Sequence, residues 1–415
     1  MAKTEGRERI AVIGGGPIGL EAALYARSLG YPVTLFERSQ VGEYVRRWGH
    51  VRLFSPFGMN ATPLGRAAIR AEDSSREFPA DAGYITGKEH LAAYLEPLAK
   101  TEPLRKCIRK ETRVLFIGRK GFLKEDDPGD PNRAQQPFCL LIRDSNKRDL
   151  IEEADIVLDC TGTYGQHRWL GDGGIPAAGE LAAEQHIAFG LEDILGERRS
   201  HYAGKTILVV GGSYSAATTV CNLATVAEQQ LDTWVIWLVR CAGTQPLPRI
   251  ANDPLRERDR LAVRANTLAT RGDGNVEFHN HALVEAVECP DPNKGFKVTA
   301  RCAGKPRTWE VDRLIANVGY SPDISLYREL QVHESFATLG PFELAAALRK
   351  YQTVDPGSGP GGSALRNPEP NFYILGAKSY GRYSHFLLRN GFEQIREVFA
   401  AITGKPKLNL YTSRS

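Results

Sequence analysis

The sequence has little of what a specialised surface would need. Its 53 Lys and Arg against 49 Asp and Glu leave a formal net charge of +4 over 415 residues, too small to argue for nucleic acid or an acidic membrane as partner. No apolar run approaches the roughly 18 residues of a membrane span. The basic-then-apolar start is broken by Gly14-Gly15-Gly16 before a signal core forms. Seven cysteines (Cys107, Cys139, Cys160, Cys221, Cys241, Cys289 and Cys302) are scattered, with no Cys-x-x-Cys among them. That excludes a secreted disulfide framework and a dithiol centre of the usual spacing, and fits small buried hydrophobes kept reduced. His279 and His281 alternate along one expected strand without a third ligand nearby, so no metal is expected. The composition is that of an ordinary globular protein, 42% hydrophobic and 25% charged, long enough for two or three domains, and the default expectation is a cytoplasmic enzyme.

Glycine is in mild surplus, 41 in all, and it belongs where backbone turns sharply or approaches a ligand. Arg9–Ile13 reads as a short buried strand and Gly14–Gly19 as a full G-x-G-x-x-G. Pro17–Leu29 follows with apolar residues at helical spacing and Gly30 as a stop; Tyr31–Glu37 is a second strand. In this context Gly14 permits the tight turn and Gly16 lets backbone approach a pyrophosphate. Gly19 packs helix on strand, and the phosphates meet the helix N-terminus at Pro17. Glu37, 21 residues past Gly16, stands where a carboxylate accepts ribose hydroxyls.

The unit recurs. Thr206–Val210 is a strand, Gly211-Gly212-Ser213-Tyr214-Ser215-Ala216 the turn, Ser215–Val226 a helix and Thr233–Arg240 a strand. Ser213 replaces the middle glycine and Ala216 the last. Arg240 ends the strand where an acid would suit a free ribose. A cation suits a 2′-phosphate, so NADP(H) is favoured over NAD(H), which stays open. Arg249 and the Arg256–Arg264 stretch either extend that phosphate site or form the solvated face of a helix starting near Asn252-Asp253-Pro254.

A second similarity links the halves. Asp155 precedes an apolar strand that Gly162 closes, and Asp312 precedes one that Gly319 closes, with β-rich stretches before each (Thr112–Arg143 and Val276–Thr299). Asp155 and Asp159 read as structural. Polar segments punctuate the plan at Glu125–Gln136, Cys289–Gly295 and Asp355–Pro370, the last a surface loop, and Phe386–Ile402 reads as an amphipathic helix.

The two glycine motifs lie 197 residues apart, and the strands ending at Cys160-Thr161-Gly162 and running Asn371–Ala377 accompany them. Together they resemble the two-dinucleotide-binding-domain flavoproteins over nearly the whole chain. The resemblance implies an α/β fold of two Rossmann-like, three-layer domains. The NAD(P)H domain (200–318) is inserted into an FAD domain (1–165 and 319–415) through a connecting segment, 166–199. It implies FAD contacts at Gly14, Gly16, Pro17, Gly19, Glu37, Arg38, Arg52, Leu53, Thr161, Gly162, Gly376 and Ala377. NADP(H) contacts are implied at Gly211, Gly212, Ser213, Tyr214, Ser215, Arg240 and Gly319. Ala377 stands where many relatives carry an Asp.

Trp48-Gly-His-Val-Arg52-Leu-Phe54-Ser55-Pro56 is similar to the flavin-approaching stretch of flavin-containing monooxygenases, including the Baeyer–Villiger and N-hydroxylating branches. Val41-Gly42-Glu43-Tyr44 and Ile194–His201 depart from that branch's motifs. The resemblance implies Trp48, Arg52, Phe54, Ser55 and Pro56 near the flavin, with Lys378, Ser379, Tyr380 and Arg382 from the C-terminal side. Trp48, Arg52, Ser55 and Tyr380 are the candidate catalytic residues, and His385 a candidate proton relay. NADPH would reduce FAD, and the reduced flavin would either activate oxygen to oxygenate a small molecule or pass electrons to another acceptor. A nucleotide sensor without turnover is the third reading. A homodimer is compatible with the chain.

Overall fold

Short apolar runs closed by glycine become parallel strands in both halves of the chain. The computed structural model describes residues 7–271, 274–291, 293–350 and 362–412. Its strands are β1 (Ile10–Ile13), β2 (Val33–Phe36), β3 (Ile108–Arg109), β4 (Arg113–Arg119), β5 (Phe138–Arg143), β6 (Asp149–Ala154) and β7 (Ile156–Asp159). They continue with β8 (Thr206–Val210), β9 (Trp234–Leu238), β10 (Val276–His279), β11 (Ala282–Glu288), β12 (Phe296–Cys302), β13 (Lys305–Val311), β14 (Arg313–Ala316) and β15 (Phe372–Ile374). The principal helices are α1 (Pro17–Ser28), α2 (Tyr214–Gln229), α3 (Arg256–Thr270) and α4 (Leu388–Thr403).

The chain divides into two compact units. The first runs to Gly49, then takes Ser55–Gln166 and the chain from Ser321 on; the second is His50–Phe54 with His167–Tyr320. The first unit holds a parallel sheet in the order β15-β7-β1-β2-β3 and an antiparallel meander β4-β5-β6. Ala11, Ile13 and Val157 of the parallel sheet are packed with Val114, Ile117, Phe138 and Leu140 of the meander. Helix α1 lies along β1 and β2 and packs on α4. Helices, parallel sheet and meander make three layers.

The second unit repeats the plan with a parallel sheet β10-β9-β8-β14 and a meander β11-β12-β13. Successive strand residues point to opposite faces. Ile207, Val209, Val235 and Trp237 accordingly pack with Ala216, Val220 and Ala262 of α2 and α3. Leu208, Val210, Ile236 and Leu238 instead meet Val284, Val298 and Ala300 of the meander. Both meanders carry a register shift in their first hairpin, at Val114/Phe116 and at Val284/Ala286.

The paired aspartates explain how each parallel sheet starts. Asp155 Oδ2 accepts the backbone N–H of Arg9 at 2.8 Å, and Asp312 Oδ2 accepts that of Thr206 at 2.8 Å. In each case a carboxylate satisfies a strand-end donor that has no ladder partner.

Three sequence expectations change. Segment 166–199 is no mere connection: Leu170, Ala177, Ala183 and Ile187 sit in the second unit's core because this stretch supplies apolar residues to the meander side. Residues 50–54 also group with the second unit, where the Phe54 ring meets Tyr214 edge-on with centroids 5.7 Å apart. Of the expected surface loop Asp355–Pro370, residues 355–361 lie outside the described residues. The remainder includes buried Leu365 and Glu369, because two buried arginines require the carboxylate. Among the described residues, no helix is long and apolar enough to cross a membrane.

Candidate functional site

In the first unit, three loops meet at the C-terminal ends of β1, β7 and β15. Gly14 has φ +102°, and a Cβ there would lie 2.7 Å from the Cys160 carbonyl oxygen. A Cβ on Gly19 would overlap the Gly14 carbonyl oxygen, whereas one on Gly16 would meet nothing within 4 Å. Two glycines are therefore demanded by the chain itself, and the third faces open space. Gly16 is also the N-cap of α1, with Pro17 next and no side chain capping the helix. Its first-turn N–H groups remain available to an anion. Glu37 is buried and oriented, its two oxygens accepting the N–H of Gly15 at 2.7 Å and of Ser39 at 2.8 Å. Each oxygen keeps lone-pair capacity for a hydroxyl donor. Beside it Arg38 hydrogen-bonds the Tyr44 hydroxyl, and Tyr164 lies against the Tyr44 ring.

The second loop is closed by Thr161 and Gly162, the latter at φ +68° with open space beyond. Thr161 donates through N–H (3.1 Å) and Oγ1 (2.7 Å) to Asp159 Oδ1. Lys378 Nζ donates to Asp159 Oδ2 at 2.6 Å and to Thr161 Oγ1 at 3.0 Å. Lysine and aspartate are both buried, so this ion pair fastens the third loop to the second. Lys378 is therefore spent on its neighbours. In the third loop Gln394 of α4 accepts the Gly376 N–H and donates to Ser379 Oγ, each at 2.8 Å. Ala377 has only a methyl group and no polar atom to contribute, and Gln394 and Lys378 do the fastening around it. Tyr380 is buried with its hydroxyl accepting from Asn390 at 2.8 Å; Arg382 is exposed.

Trp48 is half-buried, with its indole N–H buried and unpartnered among the described residues, and its ring leaves no room for a Cβ on Gly87. Ser55 is buried and donates to Asn60 Oδ1 at 2.8 Å. Arg52 and Leu53 fall in the 50–54 segment that groups with the second unit.

The second unit's loop is built on the same lines. Gly211 has φ +147°, and a Cβ there would strike the Asn317 carbonyl, as Gly14 would strike that of Cys160. Gly319 at φ +89° matches Gly162. Ser213 is the uncapped N-cap of α2, and Tyr214 and Ser215 open the helix, with Ala216 fully buried. Arg240 lies two residues past β9, exposed and without an ion pair among the described residues. Arg249 pairs with Asp259 through two bonds of 2.8 Å, and Arg258 is buried against Asp253 at 2.7 Å. These two arginines belong to helix-start scaffolding, and α3 begins at Arg256 rather than at Asn252. His279 ends β10 on Glu277 at 2.6 Å, while His281 lies beyond it at φ +47°. The pair therefore shares no strand face.

Sequence reasoning missed a buried polar cluster behind the first loop. Glu21 of α1 is fully buried; Tyr94 donates to it, and Thr62 Oγ1 lies 3.1 and 3.2 Å from its oxygens. Burial pushes its pKa up to about 7, only partly offset by the Tyr94 and Thr62 hydroxyls. The signal was present: Glu21 is the single charged residue in the otherwise apolar run Ile18–Ala26. An acid whose folded pKa is raised stabilises less as pH rises from its unfolded value toward its folded one. Wild type should lose on the order of 1–3 kcal/mol between about pH 4.5 and 7 relative to Glu21→Gln. Urea unfolding across that range checks it, and parallel pH profiles would refute it.

Residues 11–122 match the family model described as pyridine nucleotide-disulphide oxidoreductase. No curated protein matches the chain. Solved structures do. Bacillithiol disulfide reductase Bdr from Bacillus cereus is 18% identical, with 96% of this chain and 99% of that one covered at a TM-score of 0.68. Ornithine hydroxylase from Pseudomonas aeruginosa is 15% identical, with 96% and 100% covered at 0.62. Thioredoxin reductase from T. acidophilum is 16% identical, with 96% and 100% covered at 0.60. What is common to all three and to this chain is the fold.

Proposed function

We propose, from a fold shared with pyridine nucleotide-dependent flavoprotein oxidoreductases, that this chain binds FAD in its first unit and NADP(H) in its second. In this reading the chain is an NADPH-dependent flavin oxidoreductase whose activity is the oxygenation of a small molecule. The observation that carries the reading is the duplicated loop, accompanied once by an oriented buried acid, Glu37, and once by an exposed cation without an ion pair among the described residues, Arg240. The acid matches a ribose diol and the cation a 2′-phosphate. Gly16 and Gly162 leave the room a pyrophosphate needs, so the residues fit FAD.

Bound FAD supplies the two-electron chemistry. The chain's part is placement. Gly14–Gly19 and the N-terminus of α1 would hold the diphosphate, and Glu37 would take the ribose. The Asp159–Lys378 pair keeps Thr161-Gly162 and Gly376–Tyr380 in register. Thiol chemistry is disfavoured by the cysteine nearest the loops, Cys160, whose thiol burial raises well above its usual range and so keeps protonated. Cys160 therefore does not supply the nucleophile of a dithiol reductase, although two of the similar structures are named as a bacillithiol disulfide reductase and a thioredoxin reductase.

The test is an absorbance spectrum of the purified chain, then anaerobic NADPH, then air. A yellow protein that bleaches with NADPH and consumes oxygen faster with substrate supports the reading. Steady anaerobic turnover with a quinone, and no substrate-stimulated oxygen uptake, supports electron transfer to another acceptor instead. Arg240→Ala should raise KM for NADPH about 10–100-fold, the worth of a charge-assisted phosphate contact, and leave KM for NADH nearly unchanged. Equal effects on both nucleotides would remove Arg240 from the phosphate site.

A further inference from the structure

The first unit buries an acid that neither nucleotide loop uses. Glu21 stands two residues past Gly19, in the first turns of the helix that starts at the glycine loop. Its surroundings are built to hold it. Gly65 lacks the Cβ that would collide with the Tyr94 hydroxyl and lie 2.8 Å from Glu21 Oε1. Thr62 donates its hydroxyl to the carboxyl, accepts from the Gly65 N–H at 2.9 Å and gives its own N–H to Tyr94 at 3.1 Å.

Around Tyr94 the helix changes to π geometry over Leu91–Leu95, a local widening that recurs at functional sites. His90 and Tyr94 stack with centroids 5.8 Å apart, and His90 Nε2 lies 2.9 Å from the Asn60 carbonyl. Asn60 in turn bonds Ser55, through the serine hydroxyl at 2.8 Å and the serine carbonyl at 3.0 Å. The cluster thus reaches the segment expected beside the reacting ring.

The groups facing Glu21 are all uncharged. Tyr94 is kept protonated by burial, and burial pulls His90 down to about 4, so its ring is neutral. Tyr411, whose hydroxyl Glu21 helps to keep protonated, carries that hydroxyl buried without a partner among the described residues, and Tyr25 lies against it. No lysine or arginine contributes to the environment of Glu21. A carboxylate held only by hydroxyl dipoles in a low-dielectric interior responds to any new charge nearby by taking up a proton.

We propose that Glu21 is the internal proton acceptor of the first unit, taking up a proton when the flavin is reduced and releasing it on reoxidation. This rests on the flavoprotein reading. The balance is simple. Hydride leaves the dihydronicotinamide with two electrons and one proton, the nicotinamide is oxidised, and the flavin side gains one negative charge. A proton from solvent forms the O–H bond on Glu21, and no bond to carbon is made there.

The test is reduced-minus-oxidised infrared difference spectroscopy on the full FAD-loaded chain, above the pH at which Glu21 titrates. Reduction should produce a protonated-carboxyl carbonyl band in wild type that Glu21→Gln lacks. Proton uptake in weak buffer should fall by about one proton per flavin in the same variant. Tyr94→Phe keeps the ring, removes the donor and should move the band. A band that survives Glu21→Gln, stays unmoved in Tyr94→Phe, or is missing from wild type overturns the proposal while the flavoprotein reading stands. A chain that takes up no flavin overturns both.

Discussion

Replacing Glu369 with alanine lowers the unfolding free energy of the first unit by about 3–5 kcal/mol in urea denaturation. Its Oε1 accepts from Arg119 Nε at 2.9 Å; its Oε2 accepts from Arg133 at 3.0 Å and from the Gln331 N–H at 3.0 Å. The three side chains are wholly buried. Removing the carboxylate strands two guanidinium ions without solvent, and neither can escape by losing a proton. Arg119 keeps the Phe138 ring 3.5 Å away and two carbonyls, Gln136 and Pro370, but no counter-charge of comparable proximity. A surface pair makes the control: Glu393→Ala, which removes the Arg396 bridge at 2.8 Å, should stay within about 1 kcal/mol of wild type. Equal effects from the two variants would mean that the buried trio is not worth its geometry.

Gly19→Ala and Gly16→Ala should fail in opposite ways, although both alter the same motif. The methyl group at position 19 would be forced into the Gly14 carbonyl and toward Cys160, so helix and strand must part. Thermal unfolding should show a first unit that no longer folds cooperatively and retains no flavin. Position 16 has φ −80° and ψ −175°, open to any residue, and nothing of the chain lies within 4 Å of a Cβ there. Its melting curve should match wild type, while FAD affinity falls roughly 10–100-fold because the methyl occupies the pyrophosphate's space. Unimpaired FAD binding in Gly16→Ala would place the diphosphate elsewhere.

The contrast also shows what a sequence can carry. Both glycine loops, their flanking strands and the paired strands after Asp155 and Asp312 were legible because each depends on local pattern: a period of two, a glycine with positive φ, an acid at the strand start. The Asp159–Lys378 pair was half legible. Both residues were singled out, but their contact spans 219 positions and no spacing rule joins them. Lys378, expected beside the flavin, is occupied by that aspartate. Glu369 was hidden in a segment whose glycines and prolines look like linker; only the two buried arginines reveal why it is inside. Arg249 and Arg258 were open between a phosphate site and a helix face. Composition offers them to a phosphate, and tertiary contacts give them to Asp259 and Asp253.

The order in which the strands occur along the chain sets a timetable for synthesis. β1, β2 and β7 emerge early, but their sheet is completed by β15, and Arg119 of the meander meets its partner Glu369 only then, beyond the whole of the second unit. At about 5–20 residues per second the ribosome needs roughly 10–40 s between β7 and β15. Throughout that interval the second unit can finish while the first waits with an open parallel edge beside Ile156–Asp159, a template for pairing with another chain. The nascent protein should therefore lean most on chaperones after its second unit has folded, and truncations just short of Phe372 should be the ones that aggregate.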